Sequence, residues 1–212
     1  MGLKYRDSLS PLGVFVLIVL ISPHAASAKQ APAPNPEGCN LTAEELEVYS
    51  ETIQEVLLKD QDDTARVIVR ERTSDGYPPG LASMKSHRGE TKELLNSLHV
   101  GTRDQFDAQN KTSCILDPHI RPTGRIQLLS AREEQASFPK GGGSWKEFYK
   151  KYPGATGFTL LSRIGFSSKR NEAMVYLGNS CGLLCGNGYL VVLDKHKGKW
   201  KVVQQAHIWV AE

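Results

Sequence analysis

Apolar residues recur at helical spacing after residue 42, and this is the clearest secondary-structure signal of the chain. Thr42 and Glu45 stand three positions apart, the spacing of a capping box that satisfies free N–H groups in a first helical turn. The apolar positions of one helical face are then Leu46, Tyr49, Ile53, Val56 and Leu57. This period predicts a helix that buries one side.

Shorter helical patterns follow in the middle of the chain. Residues 90–110 predict two helices that are separated at Gly101, with leucines in the first and Phe106 in the second. Residues 144–149 predict another amphipathic helix, which ends before Pro153 because proline cannot continue a helix.

Strand patterns occupy the last quarter of the chain and two earlier segments. Residues 66–71 and 125–130 are rich in β-branched or apolar side chains and predict one strand each. Four apolar runs separated by turn-rich connections lie at residues 158–164, 173–177, 189–193 and 200–203. Their spacing predicts an antiparallel meander. Helices first and a C-terminal meander last define an α+β domain, with the helices packed on the sheet.

The first 28 residues have the organisation of a secretory signal peptide. Lys4 and Arg6 precede an apolar run at residues 14–21, and residues 26–28 (Ala-Ser-Ala) supply the small side chains of a cleavage site. The run is too short to span a bilayer, which needs about 20 residues of helix. We therefore expect cleavage after Ala28 and a secreted or periplasmic protein with no membrane span.

The remaining chain divides in two. Alternating prolines in residues 29–38 favour an extended, disordered leader. Residues 39–212 have the length of a single domain with its own core.

Composition and motifs exclude several functional classes. The formal net charge is +3 over 212 residues, far below the clustered positive charge that is typical of nucleic-acid-binding proteins. The sequence contains no G-x-S-x-G, H-E-x-x-H, phosphate-loop or dinucleotide-binding motif. We therefore predict no nucleic-acid partner, no cofactor and no metal.

Four cysteines in an exported chain favour two disulfides over free thiols, because the compartment is oxidising. The preferred pairing joins Cys39 to Cys114 and Cys181 to Cys185, which keeps the close pair local. The second pair would fix a bend, in which Asn187–Gly188 is a common hairpin dipeptide. The neighbouring glycines would permit the backbone angles of such a bend.

Two other interpretations of the Cys181 to Cys185 segment remain open. A thiol-redox centre usually has C-x-x-C at a helix N-terminus, whereas here the spacing is C-x-x-x-C between strands. A zinc site would need two further ligands, for which His196 or His207 could approach in the fold.

Four segments carry a resemblance to known proteins. Residues 162–166 (SRIGF), 173–176 (AMVY), 181–188 (CGLLCGNG) and 198–202 (GKWKV) resemble the C-terminal signature of uncharacterised exported bacterial proteins. The resemblance implies export, but it does not imply any particular activity. The helix followed by strands that end in GKWKVV is also similar to the NTF2-like fold, which implies a curved sheet that encloses a pocket.

Arg163 is the candidate ligand-binding residue. It lies in an otherwise apolar predicted strand, so a guanidinium that faced a pocket could bind a carboxylate or phosphate through two hydrogen bonds. The alternative is a strand residue that faces solvent.

These features predict a non-catalytic, disulfide-stabilised exported domain that binds a small ligand or a partner protein on the concave side of its sheet. One alternative is an enzyme in which Arg163 or a histidine meets a carboxylate, such as Glu133 or Glu172, inside a cavity. The other is an envelope-associated interaction protein with an exposed apolar patch, for which the leader is a tether.

Overall fold

The computed structural model describes residues 38–74, 89–116, 118–120, 124–139 and 144–211. The signal peptide predicted at residues 1–28 and the leader up to residue 37 lie outside the described residues. All described residues belong to one compact unit.

Within these ranges the chain forms five α-helices and seven strands, with a π-helical turn (Gln54–Leu58) after the first helix and a short 3-10 helix (Pro118–Ile120). The helices are α1 (Ala43–Ile53), α2 (Glu90–Ser97), α3 (Thr102–Gln109), α4 (Ala131–Ser137) and α5 (Trp145–Lys151). The strands are β1 (Arg66–Arg70), β2 (Ile126–Leu129), β3 (Ala155–Leu161), β4 (Gly165–Phe166), β5 (Glu172–Gly182), β6 (Cys185–His196) and β7 (Lys199–Val210).

One open, curved, mixed sheet contains all seven strands, in the order β2-β1-β3-β5-β6-β7, with the short β4 paired to β5. The predicted antiparallel meander is confirmed for β3, β5, β6 and β7. The strands β1 and β2 extend the same sheet by parallel pairing, β1 with both β2 and β3. The α+β class is therefore confirmed, and the helices precede the long C-terminal strands.

Helix starts follow the local signals. The predicted capping box is present at α1, where the Thr42 hydroxyl accepts from the Glu45 N–H at 3.2 Å and the Glu45 carboxylate accepts from the Thr42 N–H at 2.8 Å. The predicted break at Gly101 is also present, since this glycine separates α2 from α3 with a φ of +89°. A second capping box, Ser130 with Glu133, begins α4, which the sequence analysis did not predict.

Helices cover both faces of the sheet, because successive side chains of a strand point to opposite faces. On one face α1 packs with Val175 and Leu177 of β5. On the other face α2 and α3 pack around Met174 and Tyr176, at one end of the sheet. Elsewhere on that second face α5 packs over Ile68 and other residues of β1 and β2. A strip of the second face therefore lies between two groups of helices.

Two disulfides stabilise the unit. Cys39 is bonded to Cys114 and Cys181 to Cys185, with Cα–Cα distances of 5.0 Å in both pairs. The first joins the start of the described chain to a segment 75 positions away and runs beside a short backbone bridge between Gly38 and Ile115. The second crosses the turn between β5 and β6.

The turn itself differs from the expected one. Its two residues are Leu183 and Leu184, while Asn187 and Gly188 lie inside β6. The bend that the Cys181–Cys185 disulfide was expected to fix is present, but the Asn187–Gly188 dipeptide is not part of it.

Candidate functional site

The uncovered strip of the sheet forms a groove with a volume of about 350 Å³. Its floor comes from alternate residues of β1, β3 and β5, which share one face. The lining residues are Arg70, Phe158, Leu160, Tyr176, Ser180 and Trp209, with Gly178 beneath them. Apart from one guanidinium and two hydroxyls, these side chains are apolar or aromatic, which is the usual composition of a small-molecule site.

One wall of the groove is the ring of Phe158, which belongs to a larger aromatic cluster. Phe158 stacks almost parallel to Trp145 of α5, with 5.7 Å between the ring centroids and an interplanar angle of 8°. Phe138 and Phe148 pack edge-on or tilted against the same rings. Phe148 is fully buried and anchors α5 to the sheet. The wall is therefore held rigidly by several ring contacts.

The opposite wall is the indole of Trp209, which lies over β5 and β6. Its Nε1 donates a hydrogen bond of 2.9 Å to the hydroxyl of Tyr176. A Cβ atom on Gly188 would lie 2.0 Å from that Nε1, and one on Gly178 would lie 2.4 Å from the Tyr176 hydroxyl oxygen. The absence of side chains at these two paired glycines creates the space that the two rings occupy.

This arrangement corrects the role assigned to the glycines of the cysteine segment. Gly182, Gly186 and Gly188 are not among the glycines with positive φ, so their backbone angles are available to other residues. Gly188, and to a lesser extent Gly186, instead admit the ring of Trp209.

Arg70 supplies the positive charge of the groove. Its Nε donates to the Glu134 carboxylate at 2.9 Å, and its side chain is 37% exposed. Within the described part of the chain, this bond uses only the Nε–H of the guanidinium. The two terminal nitrogens therefore keep the fork of donors that matches a carboxylate.

Arg163 does not occupy the position expected of it. It lies after the end of β3, in the connection to β4, and not within a strand. Its backbone N–H donates to the Asn110 side chain at 2.7 Å, and its carbonyl accepts from the same side chain at 3.0 Å. Its guanidinium approaches the Gln109 carbonyl at 3.5 Å. Among the residues that line the groove, the arginine is Arg70 and not Arg163.

Of the predicted carboxylates, Glu172 is the one that a histidine approaches. Its side chain is buried and accepts hydrogen bonds from the His99 backbone N–H at 2.8 Å and from the Thr102 hydroxyl at 2.6 Å. The His99 Nδ1 lies 3.7 Å from its other oxygen. The two hydrogen bonds tie the connection between α2 and α3 to β5, which is a structural role.

The hydroxyl groups beside Glu172 are also engaged. Ser167 donates to the Asn171 side chain at 2.9 Å, and Ser168 donates to the Val100 carbonyl at 3.2 Å. Glu133 caps α4 and lies 3.5 Å from the Lys151 ammonium. In the described segments, neither predicted carboxylate lies with a base and a free nucleophile.

A zinc site needs free thiolates, whereas Cys181 and Cys185 are bonded to each other. The same bond could be the oxidised form of a redox pair, but it crosses a turn between two strands and does not lie at the helix N-terminus that is typical of such centres. Across the described ranges, no group of three or more His, Cys, Asp or Glu residues could hold a metal ion. No described helix has both the length and the apolar character that crossing a membrane requires. Comparisons with protein-family models, with curated proteins and with solved structures found no match to this chain.

Proposed function

We propose that this chain is an exported, non-catalytic binding domain whose ligand site is the sheet-face groove. The observation that carries the proposal is an apolar, aromatic strip of sheet left uncovered between two helix groups, with one guanidinium in it. The signal-peptide pattern and the two disulfides support export, because disulfides persist in oxidising compartments.

The lining defines the chemistry of the ligand. The aromatic wall and the Trp209 indole favour a flat or aliphatic apolar body, and Arg70 favours a carboxylate on the same molecule. A small amphipathic carboxylate therefore fits the groove better than a sugar or a polyphosphate, which would need many more polar partners.

Other grooves of the described surface have a different lining. The one between α1 and β7 combines apolar side chains such as Trp200 with Glu47 and Glu51 of α1 and with Lys199 and Lys201 of β7. Its charged side chains are of both signs, so they select neither an anionic nor a cationic ligand. The groove at Arg70 has a lining that is mainly apolar and aromatic and holds one charged side chain, the Arg70 guanidinium, which is paired with Glu134.

Binding is tested with two probes that share one apolar body. Isothermal titration calorimetry of the wild-type chain should detect 2-naphthoate binding, and 2-naphthol, which lacks the carboxylate, should bind more weakly. Arg70→Gln should weaken naphthoate binding by roughly 10- to 100-fold and leave naphthol nearly unchanged, because a charged hydrogen bond contributes about 1.5–3 kcal/mol. Ser180→Phe should block both probes by filling the groove.

Arg66→Gln is the matched control, since it removes the same charge from the exposed start of the same strand. It should bind both probes as the wild type does. The proposal fails if the wild type binds neither probe, or if Arg70→Gln and Arg66→Gln behave alike.

Export has its own test. The chain is recovered from outside the cytoplasm. Its intact mass should correspond to an N-terminus at Lys29, and peptide mapping without reduction should show the two disulfides. A full-length chain recovered from the cytosol with reduced thiols would contradict export without affecting the groove.

A further inference from the structure

We infer that the closed end of the β5–β6 hairpin contacts a lipid surface. This hairpin tip consists of residues 181–185 and presents Leu183 and Leu184, whose relative exposures are 92% and 73%. Large apolar side chains at such exposure are costly in water, and two adjacent ones at a protruding turn form a contact surface. The hairpin tip shares no residue with the groove lining, and the lipid contact does not depend on the groove's ligand.

The hairpin tip is held in one shape. Neither leucine has a positive φ, so the turn does not use the backbone angles of the common two-residue hairpin turns. The disulfide between Cys181 and Cys185 closes it instead, and the Tyr149 hydroxyl donates to the Cys181 carbonyl at 2.8 Å. The leucines are therefore kept outward by covalent and hydrogen-bond constraints.

Charge is segregated along the three long strands. The charged residues of β5, β6 and β7 are Glu172, Asp194, Lys195, Lys199 and Lys201, and the strand register places them together at the end opposite the tip. Residues 173–193 and 202–211 contain no Asp, Glu, Lys or Arg. The tip end can thus leave water without desolvating a charge on these strands, which would be expensive.

Further features at this end match a membrane interface. Val210, 52% exposed, pairs with Asn187 beside the tip and adds apolar area. The helix α5, which the Tyr149 bond fixes to the tip, carries the exposed Lys146 and Lys150 and one exposed carboxylate, Glu147, so these three side chains have a net positive charge. Apolar side chains that enter the acyl region, with lysines at the level of the headgroups, are typical of peripheral binding to anionic bilayers.

These observations favour lipid over a protein partner. Residues 181–185 carry no charged side chain that could pair with a protein partner, and the nearby Lys146 and Lys150 complement anionic headgroups. Two leucines are enough for weak, reversible association: burying each one strengthens partitioning by at least roughly tenfold.

The test is vesicle flotation of the processed chain that begins at Lys29, so that the apolar run at residues 14–21 does not contribute. Vesicles of phosphatidylcholine alone are compared with vesicles that contain equal amounts of phosphatidylcholine and phosphatidylglycerol. The wild type should float with the anionic vesicles, and Leu183→Ser/Leu184→Ser should lose at least roughly a hundredfold in partitioning. Both substituted side chains are exposed, so the variant should fold normally, which circular dichroism and disulfide mapping check.

Val100→Ser/Val203→Ser is the matched control, because both valines are exposed but lie away from the tip. It should float as the wild type does. Lys146→Gln/Lys150→Gln should weaken flotation with anionic vesicles only. The inference is overturned if the wild type floats with neither vesicle, or if the leucine and valine variants behave alike. Self-association that the leucine variant abolishes, without vesicle binding, would assign the tip to a protein interface and also overturn it.

Discussion

The indole Nε1 of Trp209 lies where a Cβ atom on Gly188 would come within 2.0 Å of it. The two residues are direct partners in the pairing of β6 with β7. The same Nε1 donates to the Tyr176 hydroxyl at 2.9 Å, so the glycine, the indole and the phenol form one contact at the edge of the groove. The bare backbone at Gly188 is thus a requirement of the candidate site.

Gly188→Ala should therefore displace the Trp209 ring and break its hydrogen bond to Tyr176. We expect a loss of about 1–3 kcal/mol in the free energy of unfolding, as for overpacked buried positions. Urea denaturation measures the loss, and near-ultraviolet circular dichroism reports the altered environment of the ring. Gly89→Ala is the control, because a Cβ there has no atom within 4 Å. Gly89 is the N-cap residue of α2, where alanine costs at most about 1 kcal/mol relative to glycine, so its loss should be the smaller one, and an equal loss in both variants would refute the steric explanation.

Local sequence signals predict some of the helices, such as α1, but they do not predict α4. The Thr42–Glu45 capping box precedes a clear apolar period, so α1 could be predicted from its start and its buried face. The Ser130–Glu133 box has the same spacing, but residues 131–137 have no apolar face and the packing side chain, Phe138, follows the helix. A capping signal without an amphipathic period therefore does not by itself predict a helix.

The groove could not be predicted, because its parts are distant in sequence and meet only through strand pairing. Patterns in residues 66–71 and 125–130 indicated strands, but nothing in a local pattern states the partner or the direction of a strand. The parallel pairing of β1 with β3 brings Arg70 to the face that Tyr176 and Trp209 share. Arg163, chosen for its apolar sequence neighbours, lies instead in a connection after β3.

The two disulfides should differ in their contribution to stability. In the chain-entropy model, the bond that joins Cys39 to Cys114 across 75 positions contributes about 4 kcal/mol, and the bond across the β5–β6 turn contributes about 2 kcal/mol. Cys39→Ala/Cys114→Ala should therefore lower the free energy of unfolding about 2 kcal/mol more than Cys181→Ala/Cys185→Ala does. Urea unfolding of both variants against the wild type gives the difference, and an equal or reversed order would argue against the loop-length explanation.

Glu172 distinguishes a structural carboxylate from a functional one. Glu172→Ala should leave the Thr102 hydroxyl and the His99 N–H without their acceptor and cost about 2–4 kcal/mol of stability. Glu172→Gln retains an oxygen acceptor and should cost about half as much. Thermal or urea unfolding measures both losses, while 2-naphthoate affinity should stay as in the wild type. A stable Glu172→Ala variant that had lost ligand binding would contradict this assignment.

Acid stability should depend on Glu44, which joins α1 to the charged end of the sheet. Burial disfavours its charged form, but hydrogen bonds from Lys195 at 2.7 Å and from Arg170 at 2.6 Å outweigh this effect, so its pKa lies below the ordinary 4.5. A carboxyl whose pKa is lower in the folded state stabilises the fold above its unfolded pKa and loses that contribution as the pH falls through the folded value. The stability difference between wild type and Glu44→Gln should thus be largest above pH 4.5 and should shrink in more acidic solution. Urea unfolding across this range measures it, with Glu47→Gln, an exposed position of the same helix, as the control. A difference that stayed constant with pH would show that the ion pairs of Glu44 do not stabilise the fold.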